Sequence, residues 1–265
     1  MQFFTHLPHV TALMSELADG PMGSSTNPGP EGELLSNRVR YLERHAIPPA
    51  ETVMAGLVHG VAVRVLSRAP RERRVQDTDG LVSRGPAVAI GTQDCFPLFF
   101  APLDPSDGHA IIGIAHAGWP GVLNGIAGRV VTELELAGLD RRRNLALAIG
   151  PGIHRCCFTV RDDERGVGQY VDLGYRDFVE DAGIGADGGK RWRVDLLGIL
   201  LHQLRDQLSI PPDRIEAAPE CTFCARTESG RPRFFSSRRN RVPGNNMLSV
   251  IWLNRPGRRT EAAWL

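Results

Sequence analysis

The chain has little net charge, few cysteines and no long apolar run, and each shortage argues against a class of protein. Lysine occurs once, at Lys190, although 31 residues are basic and the net charge is +1. That near-neutral balance argues against non-specific nucleic-acid binding as the main activity. Five cysteines in a chain of 265 residues are an odd number, which favours a reducing cytoplasm over a disulfide framework.

Targeting signals and common binding motifs are also missing. No stretch approaches the roughly 18–20 consecutive apolar residues of a membrane helix. The opening MQFFTHLPHV has neither the basic nor the apolar part of a signal peptide, so we expect a cytoplasmic protein that does not enter the membrane. The nucleotide fingerprints GxGxxG and GxxxxGK followed by Ser or Thr do not occur, nor do the patterns of common RNA-binding modules.

What the sequence does contain is an irregular mixture of short apolar strands and amphipathic helices. Strands are predicted within 53–66, 87–95, 97–104, 109–118, 144–153 and 247–253, and helices over 34–47, 121–138 and 193–210. Residues 19–33 are rich in Gly, Pro and Ser and predict a loop or a disordered stretch. The mixture favours an α/β or α+β fold with mixed sheets. We expect one domain over residues 1–265, with 1–33 partly loop or disordered and 255–265 as a polar tail.

Three residues with metal-binding side chains stand where apolar runs end beside Gly or Pro. They are His59 in GLVHGVAV, Cys95 in GTQDCFPL and His116 in GIAHAGWP. Strand ends can present side chains to one pocket. Two imidazoles and one thiolate leave the fourth position of a tetrahedral Zn²⁺ open, as in catalytic zinc sites. The spacing is not that of a zinc finger, so two buried histidines and an inert core cysteine remain the alternative.

Six short motifs follow one another along most of the chain. LVHG, TQDCFPL, AHAGWPG, AIGPGIHRCC, ECT and FFSSRRN occur in this order between residues 57 and 240. Together they resemble the multi-copper polyphenol oxidoreductase, or laccase-domain, family. That family includes bacterial purine nucleoside phosphorylases with adenosine deaminase side activity and a peptidoglycan-precursor editing factor. The resemblance implies a four-layer α/β/β/α sandwich with mixed β-sheets, and it implies that His59, Cys95 and His116 hold one catalytic zinc.

Four other residues are candidates for the site. Asp94, beside Cys95, either orients a ligand and moves a proton or only caps a turn. Asn37 and Arg38 match a helix-borne Asn-Arg pair of the family. Arg38 either grips phosphate through two parallel hydrogen bonds or lies on a solvated helix face. Asp79, in TDGLV, matches an aspartate of the family pattern. Its role can be simply to hold a turn.

Several positions depart from the family pattern and make the substrate harder to infer than the metal. Leu57 replaces a Gln, and Pro120 replaces a basic residue that follows HAGW. The loss of a cation at position 120 predicts weak phosphate binding. The other departures are Gln93, Gly152, His154-Arg155, Asn240 and Asn245.

The remaining four cysteines are two pairs, Cys156-Cys157 and the CTFC motif of Cys221 and Cys224. Four thiolates suit a structural zinc site. Such a site usually has two CxxC motifs, however, and the second is absent here, which argues against it.

These features favour a cytoplasmic, zinc-dependent purine nucleoside phosphorylase, with adenosine deaminase as a possible side activity. Its small-molecule substrates would be a purine nucleoside and phosphate. Bound zinc lowers the pKa of a water or polarises a substrate oxygen, and copper also binds such ligands. Three alternatives stay open: an amidase-type hydrolase that removes a misincorporated amino acid from a UDP-muramyl precursor, a copper-dependent polyphenol oxidase, and a degenerate, non-catalytic binding protein. The oligomeric state cannot be inferred.

Overall fold

The computed structural model describes residues 1–23, 31–106, 110–239, 242 and 244–254. The predicted tail at 255–265, much of the predicted loop at 19–33, the start of the strand predicted at 109–118, and Asn240 lie outside these residues. The strands, in chain order, are β1 (Gln2–Phe3), β2 (Val10–Met14), β3 (Thr52–Ala55), β4 (Val63–Leu66), β5 (Arg74–Val75), β6 (Gly80–Ser83), β7 (Ala87–Thr92), β8 (Phe96–Pro102), β9 (Ile112–Ala117), β10 (Leu145–Ile149), β11 (Thr159–Arg161), β12 (Val179–Ile184), β13 (Lys190–Val194), β14 (Ile215–Ala217) and β15 (Met247–Leu253).

The described part of the chain also contains helices. The α-helices are α1 (Glu31–Arg44), α2 (Trp119–Leu123), α3 (Ile126–Leu136), α4 (Arg141–Asn144), α5 (Gln169–Asp172) and α6 (Leu196–His202). Short 3₁₀ turns lie at Leu17–Asp19, Pro49–Glu51, Arg176–Phe178 and Pro212–Arg214, and wider turns at Glu164–Gly168 and Gln203–Gln207. Among the residues described, no helix is both long and apolar enough to span a bilayer.

Two six-stranded mixed sheets form the centre of the fold. The first sheet has the strand order β1-β2-β15-β7-β3-β5, and the second has the order β14-β10-β8-β9-β6-β4. In the first sheet β3 runs parallel to both β5 and β7, and in the second β10 runs parallel to β14 and β4 to β6. The other neighbours in these sheets are antiparallel. A small antiparallel sheet, β11-β13-β12, stands apart from them.

An apolar core fills the space between the two large sheets. It takes buried side chains from the first sheet, such as Val88 and Ile251, and from the second, such as Phe99 and Ile114. Alternate residues of a strand point in opposite directions. Accordingly, Ala89, the neighbour of Val88, belongs to a different apolar cluster on the outer face of the first sheet.

Helices cover the outer faces of both sheets. Tyr41 of α1 packs with Val250 of β15 on the outside of the first sheet. Val130 of α3 and Leu200 of α6 pack with Phe100 of β8 on the outside of the second sheet. The order of layers is therefore helix, sheet, sheet, helix, which confirms the predicted four-layer sandwich with mixed sheets.

Both faces of each large sheet are buried, which explains the apolar runs in the sequence. Every residue of β7 and of β8 is buried, so neither strand shows the alternation of a half-exposed strand. The predicted strands at 87–95, 97–104, 144–153 and 247–253 are confirmed within a few residues at each end.

The chain crosses from the first sheet to the second at two places that matter for the site. Residues 56–62 connect β3 to β4, and residues 93–95 connect β7 to β8. The second crossing leads directly into β8, where Pro97 is the register partner of His116 in β9. The two crossings therefore carry His59 and Cys95 toward the end of β9.

Two of the predicted helices differ from the structure. The helix predicted at 121–138 is two helices, α2 and α3, and the break lies at Gly125, whose φ of 74° is in the left-handed region. Gly138, the predicted stop, does follow the end of α3, with a φ of 95°. The helix predicted at 193–210 begins only at Leu196, because residues 190–194 pair as β13 and the side chain of Asp195 caps the helix by accepting the N–H of Gly198.

Replacing the glycines of this helical region with alanine tests the break. Gly125→Ala should lower the free energy of unfolding by about 1 kcal/mol, because a Cβ is unfavourable at a positive φ. Gly128→Ala, within α3, should raise it by about 0.5–1 kcal/mol, because alanine is the better helix former. A Cβ would meet no described atom within 4 Å at Gly125 and only Leu208 Cδ2, at 3.8 Å, at Gly128.

Chemical denaturation of the two variants and the wild type measures both effects. Effects of opposite sign confirm the break. Stabilisation by both substitutions would instead indicate one continuous helix over this region.

Candidate metal centre

The structure brings His59, Cys95 and His116 together at the two sheet crossings. Their ligand atoms all lie within 4.8 Å of one another, and the two imidazole rings meet edge to face with centroids 4.7 Å apart. Nitrogen and sulfur ligands of a tetrahedral zinc stand about 3.3–3.5 Å apart, given Zn–N near 2.0 Å and Zn–S near 2.3 Å. Small side-chain rotations therefore suffice to close this set around an ion.

Gly118 forms the floor on which the three side chains meet. A Cβ at this position would lie 3.1 Å from Cys95 Sγ, 3.2 Å from His59 Cδ2 and 3.3 Å from His116 Cε1. The φ of Gly118 is −71°, which any residue can adopt. Glycine is therefore required here for space and not for backbone conformation.

The Asp79 carboxylate organises two of the three candidate ligands. It is fully buried at the start of β6 and accepts the backbone N–H groups of Val58, at 3.2 Å, His59, at 3.0 Å, and Gly60, at 2.7 Å. Its Oδ1 also accepts His116 Nδ1 at 2.8 Å. With Nδ1 engaged in this way, His116 has Nε2 left for a metal, an arrangement common among metal-binding histidines.

His59 sits in an unfavourable backbone conformation. Its φ is 61°, which is uncommon for a residue with a Cβ, and its side chain is exposed. Asp79 offsets this strain by fixing the three N–H groups of the turn. Strained backbone of this kind clusters at binding and catalytic sites, where the surrounding structure determines it.

The electrostatics of the set suit a metal that prefers thiolate and imidazole. Burial alone would raise the pKa of Cys95, but the neighbouring His116 and His59 lower it to about 6. Burial alone would lower the pKa of His116, but Cys95 and Asp79 raise it to about 9. Burial likewise opposes ionisation of Asp79, yet the hydrogen bonds from His116 and Gly60 hold its pKa below the ordinary value. The site thus favours a thiolate beside positive charge, and a bound cation can replace the proton of His116.

Asp94 connects the Cys95 turn to two other loops. Its Oδ1 accepts the hydroxyl of Thr222 at 2.8 Å, and its Oδ2 accepts the backbone N–H of Arg238 at 2.8 Å. Its carbonyl accepts the N–H of Ile153 at 2.7 Å. These are the contacts of a residue that positions a turn.

Asn37 and Arg38 lie on α1, which covers the outer face of the first sheet. Asn37 is buried and donates through Nδ2 to the carbonyl of Pro21 at 3.0 Å. Arg38 is half-buried and close to Arg74 on the edge strand β5, and burial lowers its pKa. No hydrogen bond or ring contact among the described residues joins either residue to the His59, Cys95 and His116 set.

The positions that depart from the family pattern have ordinary structural explanations. Leu57 is buried in the core between the sheets. Gln93 donates to the carbonyl of Asn245 at 2.7 Å and so ties down that loop. Pro120 is in the first turn of α2, where the missing N–H breaks no helical hydrogen bond.

Asp79→Asn tests the organising role of this carboxylate. The amide keeps the shape but offers one acceptor oxygen in place of two, so the turn and the His116 ring are no longer both held. Zinc affinity, measured by competition with a chromogenic chelator, should fall about 10–100-fold. Asp77→Asn, an exposed aspartate two residues earlier, is the matched control and should leave the affinity unchanged. Equal affinities for both variants and the wild type would contradict the role given to Asp79.

Comparisons with known proteins agree with this fold and identify the family. Residues 23–254 match the family model for the multi-copper polyphenol oxidoreductase laccase. Over 245 residues the chain is 30% identical to the purine nucleoside phosphorylase YlmD of Geobacillus stearothermophilus, covering 86% of this chain and 80% of that protein. Over 227 residues it is 30% identical to a purine nucleoside phosphorylase of Streptomyces coelicolor, covering 84% of each.

Solved structures show the same architecture. The crystal structure of YlmD from Geobacillus stearothermophilus has a TM-score of 0.73 and 25% identity, and it covers 95% of this chain and 94% of that one. The crystal structure of the hypothetical protein YfiH of Bacillus licheniformis has a TM-score of 0.72 and 27% identity, with 92% of both chains covered. As the six sequence motifs predicted, the chain belongs to the multi-copper polyphenol oxidoreductase laccase family.

Proposed function

We propose that this protein is a zinc-dependent purine nucleoside phosphorylase. The observation that carries the proposal is the set of His59, Cys95 and His116, organised by Asp79 where the chain crosses between the two sheets. The names of the relatives from Geobacillus stearothermophilus and Streptomyces coelicolor support the choice of reaction. Adenosine deamination remains a prediction from the resemblance, and a cytoplasmic location remains a prediction from the sequence.

The donor set favours zinc and a catalytic site over a purely structural one. Three protein ligands leave one tetrahedral position for a substrate atom, and bound zinc supplies Lewis acidity to a substrate oxygen. Copper also binds imidazole and thiolate, and more tightly, so copper uptake by purified protein would not identify the native metal.

Exposed side chains around the set offer places for a nucleoside and an anion. Trp119, at the start of α2, follows Gly118 directly and is 42% exposed. Its indole is suited to stack on a purine base. Arg238 is exposed beside Asp94, and its guanidinium lies over the Phe158 ring, so it is a candidate for phosphate. Arg38 remains a second candidate, although its contacts place it farther along the first sheet.

In phosphorolysis a phosphate oxygen forms a bond to C1′ of the ribose while the bond from C1′ to the base nitrogen breaks. The electron pair of that bond leaves with the purine, which takes up a proton. The residues of this chain would hold the anion, stack the base and keep the reacting atoms aligned. We propose that Asp94 contributes by fixing the Cys95 turn, and that Asn37 contributes by holding α1 against the loop at Pro21.

Turnover of a nucleoside panel with and without phosphate tests the function. The zinc-loaded protein should release base from inosine or adenosine only when phosphate is present, and ribose 1-phosphate should appear in equal amount. Because Pro120 replaces a cation, the Michaelis constant for phosphate should be high. His116→Ala should lower kcat/KM by about 10³-fold or more, since the loss of a Lewis acid costs several kcal/mol of transition-state stabilisation.

The other outcomes of that assay separate the alternatives. Base release at the same rate with and without phosphate would indicate hydrolysis. No nucleoside turnover, together with release of an amino acid from a UDP-muramyl substrate, would indicate the amidase. Inactivity on every substrate by a zinc-loaded, folded protein would indicate a binding protein.

Trp119→Ala tests the proposed base-stacking position. Stacking on an aromatic side chain contributes about 1–3 kcal/mol per base, so KM for the nucleoside should rise about tenfold or more with little change in kcat. Trp119→Phe keeps an aromatic face and is the matched control, with a smaller rise. An unchanged KM in Trp119→Ala would remove this residue from the substrate site.

A further inference from the structure

Four cysteines that are distant in the sequence lie together in the structure. Cys156 and Cys157 occupy a turn between β10 and β11, and Cys221 and Cys224 occupy a turn that follows β14. Their sulfur atoms all lie within 4.8 Å of one another, and the sulfurs of Cys156 and Cys224 are 3.8 Å apart. The absence of a second CxxC motif was therefore a misleading argument against a four-cysteine cluster.

The separations fit a metal and not a disulfide. Four sulfurs at about 2.3 Å from a tetrahedral zinc stand about 3.8 Å from each other. The distance between Cys156 and Cys224 has this value, and the remaining separations need only small side-chain rotations. Sulfurs in a disulfide are about 2.05 Å apart, whereas all five cysteines here are free.

One backbone N–H and two arginine side chains lie close to the cluster, where they favour its negative charge. The N–H of His154 donates to Cys221 Sγ at 3.4 Å. Arg226 donates to the carbonyl of Phe223 at 3.1 Å, and Arg239 donates to the carbonyl of Thr222 at 2.8 Å. Four thiolates and one Zn²⁺ carry a net charge of −2, so two guanidinium groups on the Cys221 turn are favourable neighbours.

We infer that Cys156, Cys157, Cys221 and Cys224 bind a structural zinc ion, separate from the candidate metal centre. Four thiolates fill the tetrahedral shell and leave no position for a substrate, so this ion has no part in catalysis. It would cross-link two turns that the sequence places more than sixty residues apart, since Cys156 and Cys224 are separated by 68 positions.

The two cross-linked turns also hold the candidate metal centre in place. Ile153, just before Cys156, donates its N–H to the carbonyl of Asp94 at 2.7 Å. Thr222, next to Cys221, donates its hydroxyl to the Asp94 carboxylate at 2.8 Å. Asp94 directly precedes Cys95. The structural ion would therefore hold the Cys95 turn in position through Asp94, without contacting Cys95.

Metal analysis of site-specific variants tests this inference. The wild type, purified from zinc-supplemented cells under reducing conditions, should contain about two zinc ions per chain by elemental mass spectrometry. Cys156→Ser/Cys224→Ser should contain about one, and so should His59→Ala, which removes a ligand only from the other set. The two exposed cysteines are chosen because serine there disturbs little packing. The paired-serine variant should also melt at a lower temperature than His59→Ala.

One zinc ion in the wild type, lost in His59→Ala and kept in the paired-serine variant, would overturn this inference and leave the proposed function intact. The opposite pattern would support this inference and count against the catalytic metal.

A second measurement on the wild type does not depend on the folding of any variant. With zinc bound, iodoacetamide should leave Cys156 and Cys224 unlabelled although both are exposed, and a chelator should make both reactive, as read from peptide masses. Cobalt substitution should give intense sulfur-to-metal absorption, most of which survives in His59→Ala. Full labelling before chelation, a disulfide within the cluster, or iron in place of zinc would each overturn the assignment.

Discussion

The candidate metal centre depends on one buried carboxylate and the N–H groups that surround it. Asp79 has no exposed surface, and burial of an unpaired carboxylate is costly. Four donors, three from the backbone and one from His116, satisfy it. The same bonds stabilise a turn in which His59 has an unfavourable φ, and they orient the His116 ring. One side chain thus couples a loop that leaves the first sheet to a strand of the second.

Much of the fold could be predicted because strands that are buried on both faces appear in the sequence as continuous apolar runs. The long apolar runs of β7, β8 and β15 are typical of strands buried on both faces. His59, Cys95 and His116 could be recognised because each has a metal-binding side chain near the end of an apolar run. Asp79 was missed as an organising residue because an aspartate between Thr and Gly resembles any turn, and because its partners lie 20 and 37 positions away. The break at Gly125 was missed because the apolar spacing of a helix continues unchanged across a single residue with left-handed backbone angles.

Spacing rules failed at the four cysteines for a physical reason. A rule based on two CxxC motifs assumes that each half of a zinc site is a separate CxxC turn, whereas here a vicinal pair, Cys156 and Cys157, forms one half of the proposed site. Tertiary structure alone brings that pair to Cys221 and Cys224. The four-cysteine cluster and the candidate metal centre are linked through the hydrogen bond between Thr222 and Asp94. A stable cluster therefore helps to keep the Cys95 turn in position.

The two sheet crossings determine when a metal ion can enter. Cys95 and His116 come together when β8 pairs with β9 in the second sheet. His59 lies on a segment that begins in the first sheet and ends in the second, so the full set of three candidate ligands needs strands of both sheets in place. The first sheet also pairs strands near opposite ends of the chain, β2 and β15, and such sequence-distant pairings are slow steps of folding. A metal ion held by all three residues would therefore bind late in folding. The supply of that ion would then determine how many folded chains carry a metal at this site.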